Sequence, residues 1–88
     1  MLNELEHTAK VVGAKQVRRA LAGGQARRVY LAKDADPQLT RPLELLAEER
    51  GVEVVRAESM KALGRACGIA VGAVCAAVVS SADGPERG

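Results

Sequence analysis

The feature that most restricts this chain is the repeated switch in the spacing of its apolar residues. Residues 14–22 put Ala14, Val17, Ala20 and Leu21 on one side of a helical wheel and Lys15, Gln16, Arg18 and Arg19 on the other. Residues 28–33, "RVYLAK", then read as a buried strand, rich in β-branched and aromatic character. Leu39, Leu43, Leu46 and Ala47 restore a helical stripe up to Gly51; "VEVVRA" at 52–57 reads as a strand. Residues 59–68 follow as a helix with Ser59 as cap and Gly68 as stop, and 73–81 as a last strand of small and β-branched residues. Ahead of all these, residues 3–10 form a first helix with Leu2, Leu5 and Ala9 inward, and Val11-Val12-Gly13 a short extended stretch. Helix and strand therefore alternate four times.

That order predicts an α/β fold: a three-layer α/β/α sandwich around a small mixed four-stranded sheet. Eighty-eight residues leave room for one core, built here from Ala, Val and Leu with a single Tyr and no Phe or Trp. A chain of this size buries only about 60–65% of its unfolded surface, so small side chains must let the helices sit close to the sheet. The expected domain is 1–81, with "ADGPERG" leaving a flexible tail at 82–88. Gly23-Gly24 should stop the second helix. Either Asp36-Pro37 or Thr40-Arg41-Pro42 should start the third.

Charge is distributed unevenly. Residues 7–33 hold seven of the thirteen basic residues and no acid, whereas 36–58 hold three bases and six acids. One part of the surface can face a polyanion while the other keeps the net charge at +2. The N-terminal residues mix acids into what would be the apolar centre of a targeting signal. The longest apolar run, residues 69–79, has about half the roughly 20 residues of a membrane helix. Cys67 and Cys75 read as free thiols in a reducing compartment, so the chain is expected in the cytoplasm; it is also expected to have no membrane partner and to be a monomer.

No catalytic arrangement emerges, and the chain reads as a non-enzyme without cofactor or metal. His7, the one histidine, lies on the first helix with nothing to bring a nucleophile to it. Two cysteines among Ala, Gly and Val are core residues rather than zinc ligands. Asp34 and Asp36 in "DADP" suit turn and cap chemistry better than a metal. Gly64, Gly68 and Gly72 make no phosphate loop and read as caps and turns. A lone Tyr30 makes no stacking platform for single-stranded nucleic acid.

The start of the second helix is the candidate site. Gly13 allows another backbone to approach, and the first helical turn offers unpaired N–H groups and a positive dipole end. Lys15 can donate to guanine O6 and N7, and Gln16 can both donate to and accept from a base edge. Arg18 and Arg19 continue the face toward phosphates, with Arg27, Arg28 and Lys33 as further candidates and Asp34 as a possible partner for Arg19.

"VVGAKQVRRAL", "VYLAKDADP", "GVEVV", "SMKALGRACGI" and "VGAVCAAVV", in this order, resemble the kink-turn RNA-binding ribosomal protein family over about residues 2–80. The forms "GAKQ" and "MKALGRACGI" are most similar to its small bacterial YbxF-like branch. The resemblance implies recognition of a kink-turn, an internal loop whose tandem sheared G·A pairs bend a duplex sharply, in ribosomal, riboswitch or other structured RNA. It implies that Gly13, Lys15 and Gln16 read the guanines in the major groove, that Arg19 takes the place of a basic residue, and that Ile69, Ala70 and Val71 pack on an extruded nucleotide. Ala14 and Val17 stand where many members have threonine, and Ala70 where an acid is frequent. A kinked internal loop opens the major groove that an A-form duplex closes, so few aromatic residues are needed. The alternative is a protein-interaction adaptor in ribosome or RNP assembly with weak or lost RNA affinity.

Overall fold

In the computed structural model, which describes residues 3–79, the elements run α1 (Asn3–His7), β1 (Lys10–Val12), α2 (Ala14–Ala22), β2 (Ala26–Ala32), α3 (Pro37–Glu49), β3 (Glu53–Ala57), α4 (Met60–Ala66) and β4 (Cys75–Val79). The strands form one mixed sheet in the order β1-β4-β2-β3. β4 is antiparallel to both its neighbours, and β2 and β3 are parallel, joined through α3.

Strand alternation divides the core into two halves. Val29 and Leu31 of β2 share a face with Cys75 and Ala77 of β4, and there they meet Val17 and Leu21 of α2 and Leu43 and Ala47 of α3. Tyr30 and Ala32 point the other way, with Ala76 and Val78, toward Leu5 of α1 and Leu63 and Ala66 of α4. Two adjacent residues of one strand thus serve opposite helix layers, and the sheet is the middle of an α/β/α sandwich. The alanines of β4 are fully buried, which keeps both layers close.

The caps explain where elements begin and end. α2 closes in a Schellman arrangement: Gln25 N–H donates to Ala20 O and Gly24 N–H to Leu21 O, with Gly24 at φ 75°. Asp36 caps α3, its Oδ1 accepting from Gln38 N–H at 2.9 Å, and Pro37 fills the first helical position. Of the two expected starts, Asp36-Pro37 is therefore the one used, and Pro42 lies inside the helix, where it removes one backbone donor.

Several boundaries differ from the sequence reading. α1 stops at His7, because Lys10 pairs with Val78 and Ala9 O accepts from Val79 N–H. The buried stripe of α3 is Thr40, Leu43 and Ala47, while Leu39 is 48% exposed. β4 starts at Cys75, since Ala73 N–H is spent on Met60 O at 2.9 Å. Leu2, the last two residues of the expected strand and the expected tail at 82–88 lie outside the described residues.

Candidate nucleic-acid interface

The sheet has two ends, and strand direction sorts the basic residues between them. At one end stand Val12 closing β1, Ala32 closing β2, Ala57 closing β3 and Cys75 opening β4. Gly13 leaves β1 there, Lys33 leaves β2, and the loop of residues 67–74 arrives there from α4. Gly13 N–H donates to Cys75 O at 3.0 Å, Ala32 N–H to Val74 O at 3.0 Å and Lys33 N–H to Ala57 O at 2.9 Å. The start of α2, Lys33 and the loop holding Ile69, Ala70 and Val71 are thereby set on one end of the molecule.

Arg27 and Arg28 are at the other. They sit at the beginning of β2, Arg27 at an irregularity in the pairing with β4, about 17–20 Å of strand from Lys33. Arg28 Nε also donates to Glu53 Oε1 at 2.9 Å, its register partner on β3. The uninterrupted basic stretch of the sequence is therefore divided: Lys10 opens β1 opposite Val78, level with Arg28, and only Lys15, Arg18, Arg19 and Lys33 are placed to share the Gly13 end.

Gly13 is the N-cap of α2, at φ 102° and ψ 152°, a conformation essentially reserved for glycine. Its carbonyl accepts from Val17 N–H at 2.9 Å, which opens the helix, and no side chain caps the turn. Among the described residues nothing accepts from the amides of Ala14, Lys15 and Gln16. A Cβ on Gly13 would meet nothing within 4 Å, so the space over the cap is open. Three free donors, the positive end of α2 and an unobstructed approach make this turn a site for hydrogen-bond acceptors and negative charge.

Lys15, Gln16, Arg18 and Arg19 are all exposed, as the wheel predicted, with Val17, Ala20 and Leu21 buried beneath them. Among the described residues the side chains of these four and of Lys33 make no hydrogen bond or ion pair. The expected pairing of Arg19 with Asp34 does not occur. Asp34 Oδ1 instead accepts Met60 N–H at 2.8 Å, a donor of the first turn of α4. Both carboxylates of "DADP" thus cap helices.

The loop after α4 is the second part of the candidate site. Its residues 69–72 are exposed, Val71 at 71% and Ile69 at 37%. Residues 68–74 carry no polar side chain, so the loop can offer apolar contact and backbone groups only. Gly68, at φ 79°, closes α4, with Ile69 N–H donating to Gly64 O and Gly68 N–H to Arg65 O, both at 3.0 Å. Gly68 is the cap that the sequence suggested; Gly64 is not. Gly64 is buried inside α4, and a Cβ there would lie 2.1 Å from the carbonyl oxygen of Val71. The signal available in the sequence was its cost: glycine inside a helix is about 1 kcal/mol worse than alanine.

Both thiols are buried and free. Burial pushes both up, Cys75 to about 11, so neither is a reactive thiolate. No described helix is long and apolar enough to cross a membrane.

Residues 2–86 match the ribosomal protein L7Ae/L30e/S12e/Gadd45 family. An RNA-binding protein of Bacillus pumilus is 45% identical over 69 residues, 78% of this chain and 84% of that one. The RNA-binding protein YbxF of Geobacillus stearothermophilus is 44% identical over 69 residues, with the same 78% and 84% covered. Among solved structures, a 15.5 kD RNA-binding protein of Giardia lamblia superposes with a TM-score of 0.85 at 34% identity, covering 90% of this chain and 70% of the other.

Proposed function

This chain belongs to the ribosomal protein L7Ae/L30e/S12e/Gadd45 family, and from that premise we propose that it is an RNA-binding protein that recognises kink-turns. It stabilises their bent form as a cytoplasmic monomer of one domain, with no catalytic role. The observation that carries this reading is the first turn of α2. Its three free amides and the exposed Lys15 and Gln16 stand over an open glycine cap, on the same end of the sheet as an exposed apolar loop.

Each part has a task. Gly13 lets the RNA backbone come close. Lys15 donates to the O6 and N7 edge of a sheared guanine, and Gln16 supplies a donor and an acceptor to the neighbouring base. Arg18, Arg19 and Lys33 neutralise phosphates flanking the bend. Ile69, Ala70 and Val71 cover a nucleotide turned out of the stack.

The test is equilibrium binding to an RNA with tandem G·A pairs beside one in which Watson–Crick pairs replace them. Several kcal/mol should separate the two, at about 1–3 kcal/mol for each lost bidentate contact. Equal affinity for both would defeat the proposal. RNA affinity lost altogether would favour the adaptor reading. That reading is supported by the exposed Leu39 and Leu45, which flank a groove between α2 and α3 lined by Ala14, Arg18, Pro42, Leu43 and Leu46.

A further inference from the structure

Gly64 is buried, bears no functional group, and lies in the middle of a helix that it weakens. What fills the space of its missing side chain is the backbone of the loop of residues 69–73. A Cβ on Gly64 would stand 2.1 Å from Val71 O, 3.1 Å from Val71 C and 3.0 Å from Gly72 Cα. None of these atoms can move by a change of rotamer; the loop itself would have to lift. One turn earlier on the same face of α4, Met60 repeats the arrangement. Its carbonyl accepts from Ala73 N–H at 2.9 Å, and a Cβ on Gly72 would come within 3.1 Å of Met60 Cβ.

The loop is thus laid along α4 and fastened at both ends. Ile69 N–H donates to Gly64 O and Ala73 N–H to Met60 O, with the Val71 carbonyl seated between them against Gly64. Turning that carbonyl inward leaves the Val71 side chain outward, 71% exposed. A valine so exposed on a backbone so tightly held has no evident use in the fold.

We propose that Gly64 is a positioning residue for RNA recognition: it fixes the height and orientation of the loop so that Val71 and Ile69 meet the face of an extruded nucleotide. This rests on the kink-turn reading above and assigns the grip on the nucleotide to a residue that never touches it. An added methyl group raises the loop by its backbone, tilting the apolar tip off the base while leaving α2 and its first turn in place.

The experiment compares three RNAs: a kink-turn, the same RNA with the extruded nucleotide made abasic, and one with Watson–Crick pairs in place of the G·A pairs. The wild-type chain should bind the first more tightly than the second. Gly64→Ala should reduce that base-to-abasic preference about tenfold while still rejecting the Watson–Crick RNA. A loss of folded population alone would weaken all three RNAs equally. Val71→Ala, at an exposed position, should reproduce the effect, and adding it to Gly64→Ala should cost little more. Gly72→Ala crowds the other end of the loop more gently and should give a smaller loss of the same kind, which decides the matter if Gly64→Ala does not fold. Retention of the wild-type preference by Gly72→Ala and by folded Gly64→Ala would overturn the inference. Failure of the wild-type chain itself to reject the Watson–Crick RNA would instead remove the kink-turn reading.

Discussion

Gly13 N–H donates to Cys75 O at 3.0 Å, so the residue that begins α2 is tied to the residue that begins β4. The helix start therefore has its position set by a central strand of the sheet rather than by a loop. Gly13→Ala tests how much this cap contributes. At φ 102° the substituted residue is strained by about 1–3 kcal/mol, although its methyl group clashes with nothing. Urea unfolding should report a loss of that size. RNA affinity at a temperature where the variant is fully folded should fall as well, because the methyl group stands in the open space over the first turn. A variant that loses stability and keeps full affinity would show that the RNA does not approach there.

Exposed, and unpaired among the described residues, Lys15 and Arg18 are alike in charge but not in place. Lys15 is on the first turn beside the free amides, and Arg18 is nearly a turn further along. Arg18→Ala should weaken kink-turn and control RNA alike and reduce the magnitude of the log–log salt slope by up to about one. Lys15→Ala should reduce the ratio between the two RNAs. Gln16→Ala, neutral before and after, should lower that ratio with no change in slope. Salt titrations of the variants against both RNAs separate these outcomes. Arg19 has no carboxylate partner among the described residues, so its alanine variant should resemble Arg18→Ala more than Lys15→Ala.

Much of the fold was legible because its causes are local. Val29 and Leu31 alternate with Tyr30 and Ala32 as a strand buried on both faces requires, and Asp36-Pro37 announces a helix in one dipeptide. The candidate site was legible in part. Gly13, Lys15 and Gln16 lie within one turn, where sequence neighbours are spatial neighbours. Arg27 and Arg28 misled because charge was read along the chain, whereas a strand carries its two termini to opposite ends of the sheet. Asp34 caps a helix as its residue type suggested, but which helix was not legible. Its oxygen goes to Met60, 26 residues away, and no local pattern favours that partner over Arg19. Gly64 was least legible, since the value of an absent side chain depends on what comes to occupy its place.

The Asp34–Met60 bond joins the turn after Lys33 to the first turn of α4, and so to the helix that carries the apolar loop. Asp34→Ala removes one acceptor from the α4 terminus, where Ser59 Oγ takes Ala62 N–H and leaves Met60 N–H to Asp34. Thermal unfolding should show a loss of about 0.5–2 kcal/mol, the usual range for a lost helix cap. Asp34→Asn keeps an acceptor oxygen and should recover most of it. Equal destabilisation by both would mean that the negative charge at the α4 terminus matters more than the hydrogen bond.

Cys75 gives the fold a dependence on alkaline pH. Burial is the main cause that lifts its thiol from 9.0 to about 11 in the folded chain, while the unfolded chain keeps a value near 9.0. Below pH 9 both states hold the proton, and the thiol contributes no pH dependence. Between pH 9 and 11 the unfolded state releases the proton first, so stability falls as pH rises. A shift of about two units corresponds to a loss of about 2–3 kcal/mol once pH exceeds the folded value. Cys75→Ala should cost about 1 kcal/mol at neutral pH through the small cavity it leaves in the α2/α3 half of the core. It should also remove this alkaline slope, so that the urea midpoints of wild type and variant converge and then cross as pH approaches 11. The same measurement on Cys67→Ala should remove a slope of the same sign, because burial raises that thiol as well, with the positive charge of Lys10 opposing it. Parallel pH profiles for wild type and Cys75→Ala would mean that Cys75 ionises as readily folded as unfolded, and that the centre of the sheet is open to water.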